Sequence, residues 1–446
     1  MKTLIKKFIP SWLLSFYHKA LAVLANMVYG RPSEKLVVIG VTGTNGKSTT
    51  VNLIASILEE VGHKVGLTST VNFKVAGKEW LNDKKMTMLG RLALQKLLRS
   101  MVSAGCDYAI IETSSEGIKQ FRHWGINYDV AIFTNLTPEH LEAHGSFDNY
   151  QKAKGELFKK LKRDRVKKIK GQKIGKISIV NLDDKFASYF LQFPADKKYG
   201  YGVNFSSDIS GVEEVRAEDI SLNGVGSTFQ INGSSFDLQL LGRFNVYNAL
   251  AAISLGLSQK ISLEKIAAGL AKVKGVPGRL EFIDEGQAFK VLVDYAPEPE
   301  SMKQLYQTID DLNLAPGRII HVLGSAGGGR DKSRRPVLGE LAGQRAQVVI
   351  ITNEDPYNED PQAIIDQVAE GVVSTGKSLN EELFKILNRQ EAIAKAFSIA
   401  NSGDLVLITG KGSEQAICLK NGQKVKWDDR QVVRDELDKL KNKQNS

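Results

Sequence analysis

Lys47 and Ser48 close the run Gly40-Val41-Thr42-Gly43-Thr44-Asn45-Gly46-Lys47-Ser48-Thr49-Thr50. An ammonium beside a hydroxyl at the end of a glycine-rich turn is an arrangement that holds a polyphosphate. Glycines let backbone N–H groups approach phosphate oxygens, and a following helix N-terminus adds a favourable dipole. Lys47 is expected on the β- and γ-phosphates and Ser48 on Mg²⁺, with Gly43, Thr44, Asn45, Gly46 and Thr49 forming the rest of the cradle. These residues imply a bound nucleoside triphosphate. Glu112 is the next candidate. It ends the strand-like run Tyr108–Glu112 and precedes Thr113-Ser114-Ser115, where a carboxylate beside a phosphate loop can hold Mg²⁺. His140 and His144, within Asn135–Gly145, are four residues apart and would share a helix face as zinc ligands. No third nitrogen or sulfur ligand lies nearby, and Pro138 and Gly145 favour a loop or short helix. A structural role and a functional one at the edge shared with Glu112 and Lys47 are equally well supported.

The elements that must position these groups alternate. Leu36–Val41 reads as a buried strand, and Val51, Ile54, Ala55 and Leu58 recur at helical spacing after the turn. Strand-like runs at Lys64–Thr70, Tyr108–Glu112, Val130–Asn135 and Ile177–Asn181 have helices between them, the pattern of a parallel α/β sheet. Residues 198–241 change character and read as a small antiparallel excursion, followed by helices from about Asn245 to Leu257 and from Leu263 to Val273. Gly275-Val276-Pro277-Gly278 is the linker candidate. Beyond it the alternation restarts with Val291–Tyr295, Ile319–Leu323, Val348–Asn353 and Asp404–Thr409, and a second glycine-rich turn spans Gly324–Gly329. The expected fold is α/β: a P-loop central domain with a parallel sheet (35–276) and a Rossmann-like C-terminal domain (277–446), preceded by an apolar helical segment (1–34).

The chain has 446 residues and a net charge of +10. Residues 159–176 alone hold ten Lys or Arg against Asp164. The tract follows a helix pattern without interleaved aromatics, so it reads as a solvated face rather than a nucleic-acid surface. Cys106 and Cys418 cannot build a disulfide framework, which points to a reducing, cytoplasmic compartment. Residues 4–29 are rich in apolar and aromatic side chains, but Ser15, His18, Lys19 and Asn26 interrupt any clean membrane span. Lys2, Lys6 and Lys7 would suit a helix lying on an anionic membrane, giving peripheral contact through residues 1–30. A helix packed on the protein's own surface is the preferred expectation.

Seven motifs in order resemble the Mur ligases over about residues 35 to 430. They are Gly40–Thr50, Glu112–Ser115, Asn135–Gly145 with Tyr150–Phe158, Gly242–Asn248, Pro277–Glu281, Asp294-Tyr295-Ala296 and Gly410–Glu414. The chain is most similar to the members that add the third residue of the peptidoglycan stem peptide. The resemblance implies an ATP- and Mg²⁺-dependent ligase that phosphorylates a carboxylate of a muramyl-peptide precursor and lets an amino acid's amine attack the acyl phosphate. It implies Mg²⁺ on Ser48, Glu112, His140 and Lys154, with Lys154 carbamoylated, and catalytic roles for Lys47, Glu112, His140 and Lys154. It assigns Asn245, Asn248, Arg279 and Asp294 to the nucleotide. Thr87, Ser114, Gln120 and Arg122 go to the muramyl peptide, and Arg330, Glu354, Asp355, Pro356, Tyr357, Gly410 and Glu414 to the amino acid.

The departures carry their own expectations. Glu116 and Pro297 stand where the family has histidines, and Glu354-Asp355-Pro356-Tyr357 stands for Asp-Asn-Pro-Arg. Tyr357 cannot supply the bidentate grip that the arginine gives a distal carboxylate. The family's N-terminal domain for the UDP group has no counterpart, and residues 1–34 stand in its place. Two rival readings are a Mur-like ligase acting on a lipid-linked or other peptide or glutamate carboxylate, and a P-loop ATPase serving as a regulatory or nucleic-acid-binding module.

Overall fold

The computed structural model describes residues 11–137, 144–206 and 209–444. The strands of its first half are β1 (Val37–Thr42), β2 (Val65–Thr68), β3 (Asn72–Val75), β4 (Lys78–Leu81), β5 (Tyr108–Glu112), β6 (Val130–Phe133), β7 (Lys167–Ile169), β8 (Gln172–Ile174), β9 (Ile177–Asn181), β10 (Lys197–Gly202) and β11 (Glu213–Arg216). Nine of them form one sheet in the order β11-β10-β9-β6-β1-β5-β2-β3-β4, in which β3 alone runs against the others. β1 lies at the centre and is buried on both faces, and it is apolar up to its last residue, Thr42. Its residues alternate between two cores. Val37, Ile39 and Val41 face the helices Lys47–Glu60 and Arg243–Ser258, whereas Leu36 and Val38 join the core under Arg91–Ser103 and Phe147–Arg163.

Two sequence expectations need correction here. Residues 198–241 are not a single antiparallel excursion, because β10 and β11 continue the main parallel sheet. Only β12 (Glu218–Asn223), β13 (Gly226–Ile231) and β14 (Ser234–Leu238) form the separate antiparallel sheet. The basic tract is helical only to Arg163 and then turns into the β7–β8 hairpin. Lys170 and Gly171, at φ 48° and 81°, make a two-residue turn whose twist matches the strands. Nor is the tract simply solvated. Lys167 and Lys176 are buried around the fully buried Asp129, and Lys167 Nζ also donates to the carbonyls of Ser33 (2.8 Å), Leu36 (2.8 Å) and Asn127 (2.9 Å).

The second half carries β15 (Glu281–Phe282), β16 (Lys290–Val293), β17 (Ile319–Leu323), β18 (Val348–Thr352), β19 (Leu383–Ile386) and β20 (Leu405–Ile408) in the order β15-β16-β20-β17-β18-β19, parallel except for β15. Helices pack on both faces over separate apolar cores. The N-terminal helix Ser11–Val28 lies on the first half. Ala22 and Ala25 face inward, and Lys19 Nζ sits 4.8 Å and 4.7 Å from the Phe121 and Trp124 ring centroids. Phe16, Leu24, Met27 and Val28 point outward and are more than half exposed. Among the described residues no helix is long and apolar enough to cross a membrane.

Candidate functional site

The C-terminal ends of β1 and β5, with Thr70 after β2, meet one wall of a cleft of about 220 Å³, and residues following β16, β17, β18 and β20 form the other. On the first wall the turn 43–46 leads into the helix Lys47–Glu60. Gly46 adopts φ 81°, and a Cβ there would stand 2.1 Å from Asn248 Oδ1. Only glycine lets the loop close against the helix Arg243–Ser258. Asn135 pins the loop from the side, accepting from Asn45 N through Oδ1 (2.8 Å) and from Thr44 N through its carbonyl (2.8 Å). Asn248 donates to Asn245 Oδ1, and Asn245 in turn to Leu241 O, which fixes both amides at the cleft.

Lys47 Nζ curls back to the carbonyls of Gly43 (3.0 Å) and Thr44 (2.6 Å), and Lys154 Nζ also donates to Gly43 O (2.6 Å). Lys154 is buried and lies 4.4 Å from the Tyr150 ring centroid, so it faces the phosphate loop rather than solvent. Ser48 Oγ donates to Glu112 Oε2 (2.7 Å), and Thr70 holds the same carboxylate through its N–H (2.7 Å) and hydroxyl (2.9 Å). A carboxylate and a hydroxyl are the hard oxygen donors that Mg²⁺ takes when substrate phosphates complete its shell. The donor set therefore fits that ion. Among the described residues no group of three His, Cys, Asp or Glu side chains could by itself hold a metal ion. His140 lies outside the described residues; His144 is buried with Nε2 3.2 Å from Ser115 Oγ.

On the second wall, burial pushes the Asp294 carboxyl above its usual range, against the pull of Arg279, and Asp294 accepts from Leu280 N (2.8 Å). The Arg279 guanidinium stacks 4.4 Å from the Tyr295 ring centroid. Further along, Lys85, from the loop after β4, reaches across the cleft. Its Nζ bonds Asp355 Oδ2, Glu414 Oε2 (2.9 Å) and Ala416 O (2.8 Å). Lys411 Nζ meets the same three groups from behind: Asp355 Oδ1 (2.9 Å), Glu414 Oε2 (2.8 Å) and Ala416 O (2.8 Å). Burial opposes the charge on Asp355, yet Lys411 and Lys85 outweigh it and hold the carboxyl below its usual range. Burial raises the neighbouring Glu354, and the negative Asp355 adds to that. Arg330 lies over the Tyr357 ring, 5.7 Å from its centroid, and Tyr357 sits at φ 51°.

The cleft brings together Lys47, Ser48, Glu112, Lys154, Thr87, Ser114, Asn245, Asn248, Arg279, Asp294, Arg330, Glu354, Asp355 and Glu414. Gln120 and Arg122 are not among its lining. Arg122 is tied to Met88 O and to Gln120 Oε1, and Gln120 to Glu116, in the loop behind the wall. Ser114 caps the short helix Ser115–Lys119 by accepting from Gly117 N (3.1 Å). Pro356, Tyr357 and Gly410 support the second wall without lining it. Lys85, Lys411, Thr70 and Arg334 have no counterpart among the expected site residues. Lys411 lies inside the quoted motif Gly410–Glu414 and Thr70 ends the strand-like run Lys64–Thr70, whereas Lys85 and Arg334 belong to no such signal.

The family model described as Mur ligase middle domain matches residues 41–256, and Mur ligase, glutamate ligase domain matches 278–412. The UDP-N-acetylmuramoyl-L-alanyl-D-glutamate--2,6-diaminopimelate ligase of Geobacillus kaustophilus is 38% identical over 96% of this chain and 84% of its own length. The UDP-N-acetylmuramyl-tripeptide synthetase of Roseiflexus sp. is 39% identical over 94% of this chain and 82% of its own. A solved UDP-N-acetylmuramoyl-L-alanyl-D-glutamate--2,6-diaminopimelate ligase superposes with a TM-score of 0.57 at 29% identity, over 91% of this chain and 79% of that one. The folylpolyglutamate synthase of Mycobacterium tuberculosis shares the fold, with a TM-score of 0.68 at 17% identity over 88% and 92% of the two chains. With its phosphate loop, buried Lys154 and acidic second wall in one cleft, the chain belongs to the Mur ligase family.

Proposed function

We propose that this chain is an ATP-dependent ligase that joins an amino acid's amine to the free carboxyl of a UDP-N-acetylmuramyl dipeptide in the cytoplasm. In this reading residues 35–276 hold the nucleotide and the muramyl peptide, and residues 277–446 present the amino acid. A carboxylate oxygen takes the γ-phosphoryl group of ATP, the amine then attacks the acyl carbon, and phosphate leaves as the amide forms. Such chemistry needs alignment and charge neutralisation more than strong acids or bases. Lys47 turns from the loop carbonyls to the transferring phosphate, Ser48 and Glu112 hold Mg²⁺, and Lys154, carbamoylated, offers a second anionic ligand. Bound Mg²⁺ neutralises charge on the phosphates. Arg330, Asp355 and Glu414 face the incoming amino acid.

The observation that carries the reading is the convergence of a phosphate end (Lys47, Ser48, Glu112, Lys154) and a charged second wall (Arg330, Asp355, Glu414) on one cleft. The test is phosphate release by purified protein across acyl acceptors and amino acids, with the product identified by mass. Lys47→Ala should abolish the amino-acid-dependent release. Release that needs no amine acceptor would instead favour a regulatory P-loop ATPase. A second reading keeps the chemistry and moves the acceptor to a lipid-linked precursor. The outward apolar row Phe16, Leu24, Met27 and Val28 favours it. Salt-sensitive co-sedimentation with anionic vesicles, lost on removing residues 1–30, would put that reading first.

A further inference from the structure

Lys85 is the feature that the reaction outlined above does not use. It projects from the loop between β4 and the helix Arg91–Ser103, at φ 53°. The loop is braced by the buried Asn82, whose amide donates to Ser69 O (2.8 Å) and Met86 O (3.0 Å) and accepts from Lys84 N (2.9 Å). Lys85 is thus presented to the opposite wall by a fixed turn, and its side chain is only 5% exposed. There it meets two carboxylates and a carbonyl, the coordination that a substrate's side-chain ammonium would seek. Burial disfavours the lysine's charge, but Glu414 and Asp355 outweigh it and push the ammonium well above its ordinary range. The lysine stays charged.

We propose that Lys85 is a specificity-determining residue: it fills the acidic pocket of Asp355 and Glu414, so that the cleft selects an amino acid with an uncharged side chain. The proposal rests on the reading that these residues face the incoming amino acid. The charges around the pocket close in pairs, Lys85 and Lys411 against Asp355 and Glu414. A distal carboxylate finds no cation to spare among them, and Tyr357 stands where an arginine would have gripped it. A distal ammonium would have to displace Lys85 from three acceptors. Arg330, beside a Glu354 that burial drives toward its neutral form, is left for the α-carboxylate common to every amino acid.

The test uses the full chain with ATP, Mg²⁺ and UDP-N-acetylmuramoyl-L-alanyl-D-glutamate, and compares kcat/KM for L-alanine and L-serine with L-lysine, L-ornithine and meso-diaminopimelate. Wild type is expected to favour the uncharged acceptors. Lys85→Met exposes the two carboxylates, and the lysine-to-alanine ratio should rise roughly 10- to 100-fold, the worth of one charge-assisted hydrogen bond. Lys85→Arg should keep the wild-type order, and adding Asp355→Asn to Lys85→Met should cancel the gain. A variant that merely loosened the loop would lower both rates and leave the ratio alone. Wild type preferring lysine, or a folded Lys85→Met with an unchanged ratio, overturns the proposal while the ligase reading stands. No product with any amino acid defeats both.

Discussion

Lys167→Met should cost the first half of the chain much of its stability, although lysine at this position looks from sequence like one of many surface charges. The side chain is 1% exposed, and its ammonium serves Asp129 and three main-chain carbonyls at once. Leu36 directly precedes β1, so the lysine fastens the start of the strand that ends in the phosphate loop. Methionine keeps most of the volume and removes the charge. Asp129 retains Lys176 at 3.2 Å and Val38 N at 2.8 Å, so its carboxylate is not abandoned. The three acceptors are. Each buried acceptor left without a donor costs about 1–3 kcal/mol, and breaking a buried ion pair about 3–5 kcal/mol. These contributions overlap, and a net loss of about 3–5 kcal/mol is expected. For a unit of some 240 residues that corresponds to a fall in Tm of roughly 6–20 °C. Thermal melting followed by circular dichroism measures it, with Lys168→Met, on the exposed side of the same hairpin, as the control within about 0.5 kcal/mol of wild type. Equal melting of the two variants would show that Lys167 is a solvated lysine after all.

Lys154→Ala should abolish ligation, and small carboxylates or bicarbonate should restore part of it by supplying an anion beside Gly43; an active variant without rescue would remove Lys154 from the machinery. Meso-diaminopimelate should be a poor acceptor despite the names of the relatives. Leaving a buried charge without its partner costs about 2–5 kcal/mol, and a competition assay that diaminopimelate wins against alanine would contradict this. His321 lies buried between Tyr306 Oη (2.7 Å) and Thr409 Oγ1 (2.9 Å), and burial lowers its pKa to about 3, with Arg389 adding to the effect. The unfolded chain therefore binds the proton first. Stability is full above pH 6.5 and falls by up to about 1.4 kcal/mol per pH unit between 6.5 and 3. His321→Gln should flatten the Tm profile over that window, and an unchanged slope would exclude this histidine as its source.

The order of elements was legible in the sequence because buried parallel strands and their covering helices have distinct periods, as β1 and the helix after it show. The phosphate loop was legible because its chemistry is local: Gly43 to Ser48 carry both the turn and the ligands. The second wall was reached only through the family motifs that carry Arg279, Asp294, Arg330, Glu354, Asp355 and Glu414. Its pairing with Lys85 was not legible, because Lys85 and Asp355 stand 270 positions apart and nothing in either neighbourhood announces the other. The basic tract misled for a related reason. Lys167 and Lys176 answer to Asp129, which their own segment does not contain, and Lys170-Gly171 lacks the asparagine that usually signals a hairpin turn. Gln120 and Arg122 carried family meaning, and the structure bonds them to Glu116 and to Met88 O outside the lining of the cleft.

The seat of the N-terminal helix offers an optical handle on the whole first wall. A Cβ at Gly125 would stand 2.5 Å from Ala22 O, so the helix backbone rests directly on that glycine, while Lys19 and Lys160 flank the Trp124 indole at 4.7 Å and 5.8 Å. Two ammonium groups beside one indole ring shift and quench its emission when they hold their places and release it when one leaves. Trp124 should therefore brighten or change wavelength as the helix lifts, with no label attached. The same loop fastens Arg122 to Met88, the neighbour of Thr87 in the cleft. The chain has four tryptophans, so a titration of a variant that keeps only Trp124 is the one that reads events at the cleft from this indole.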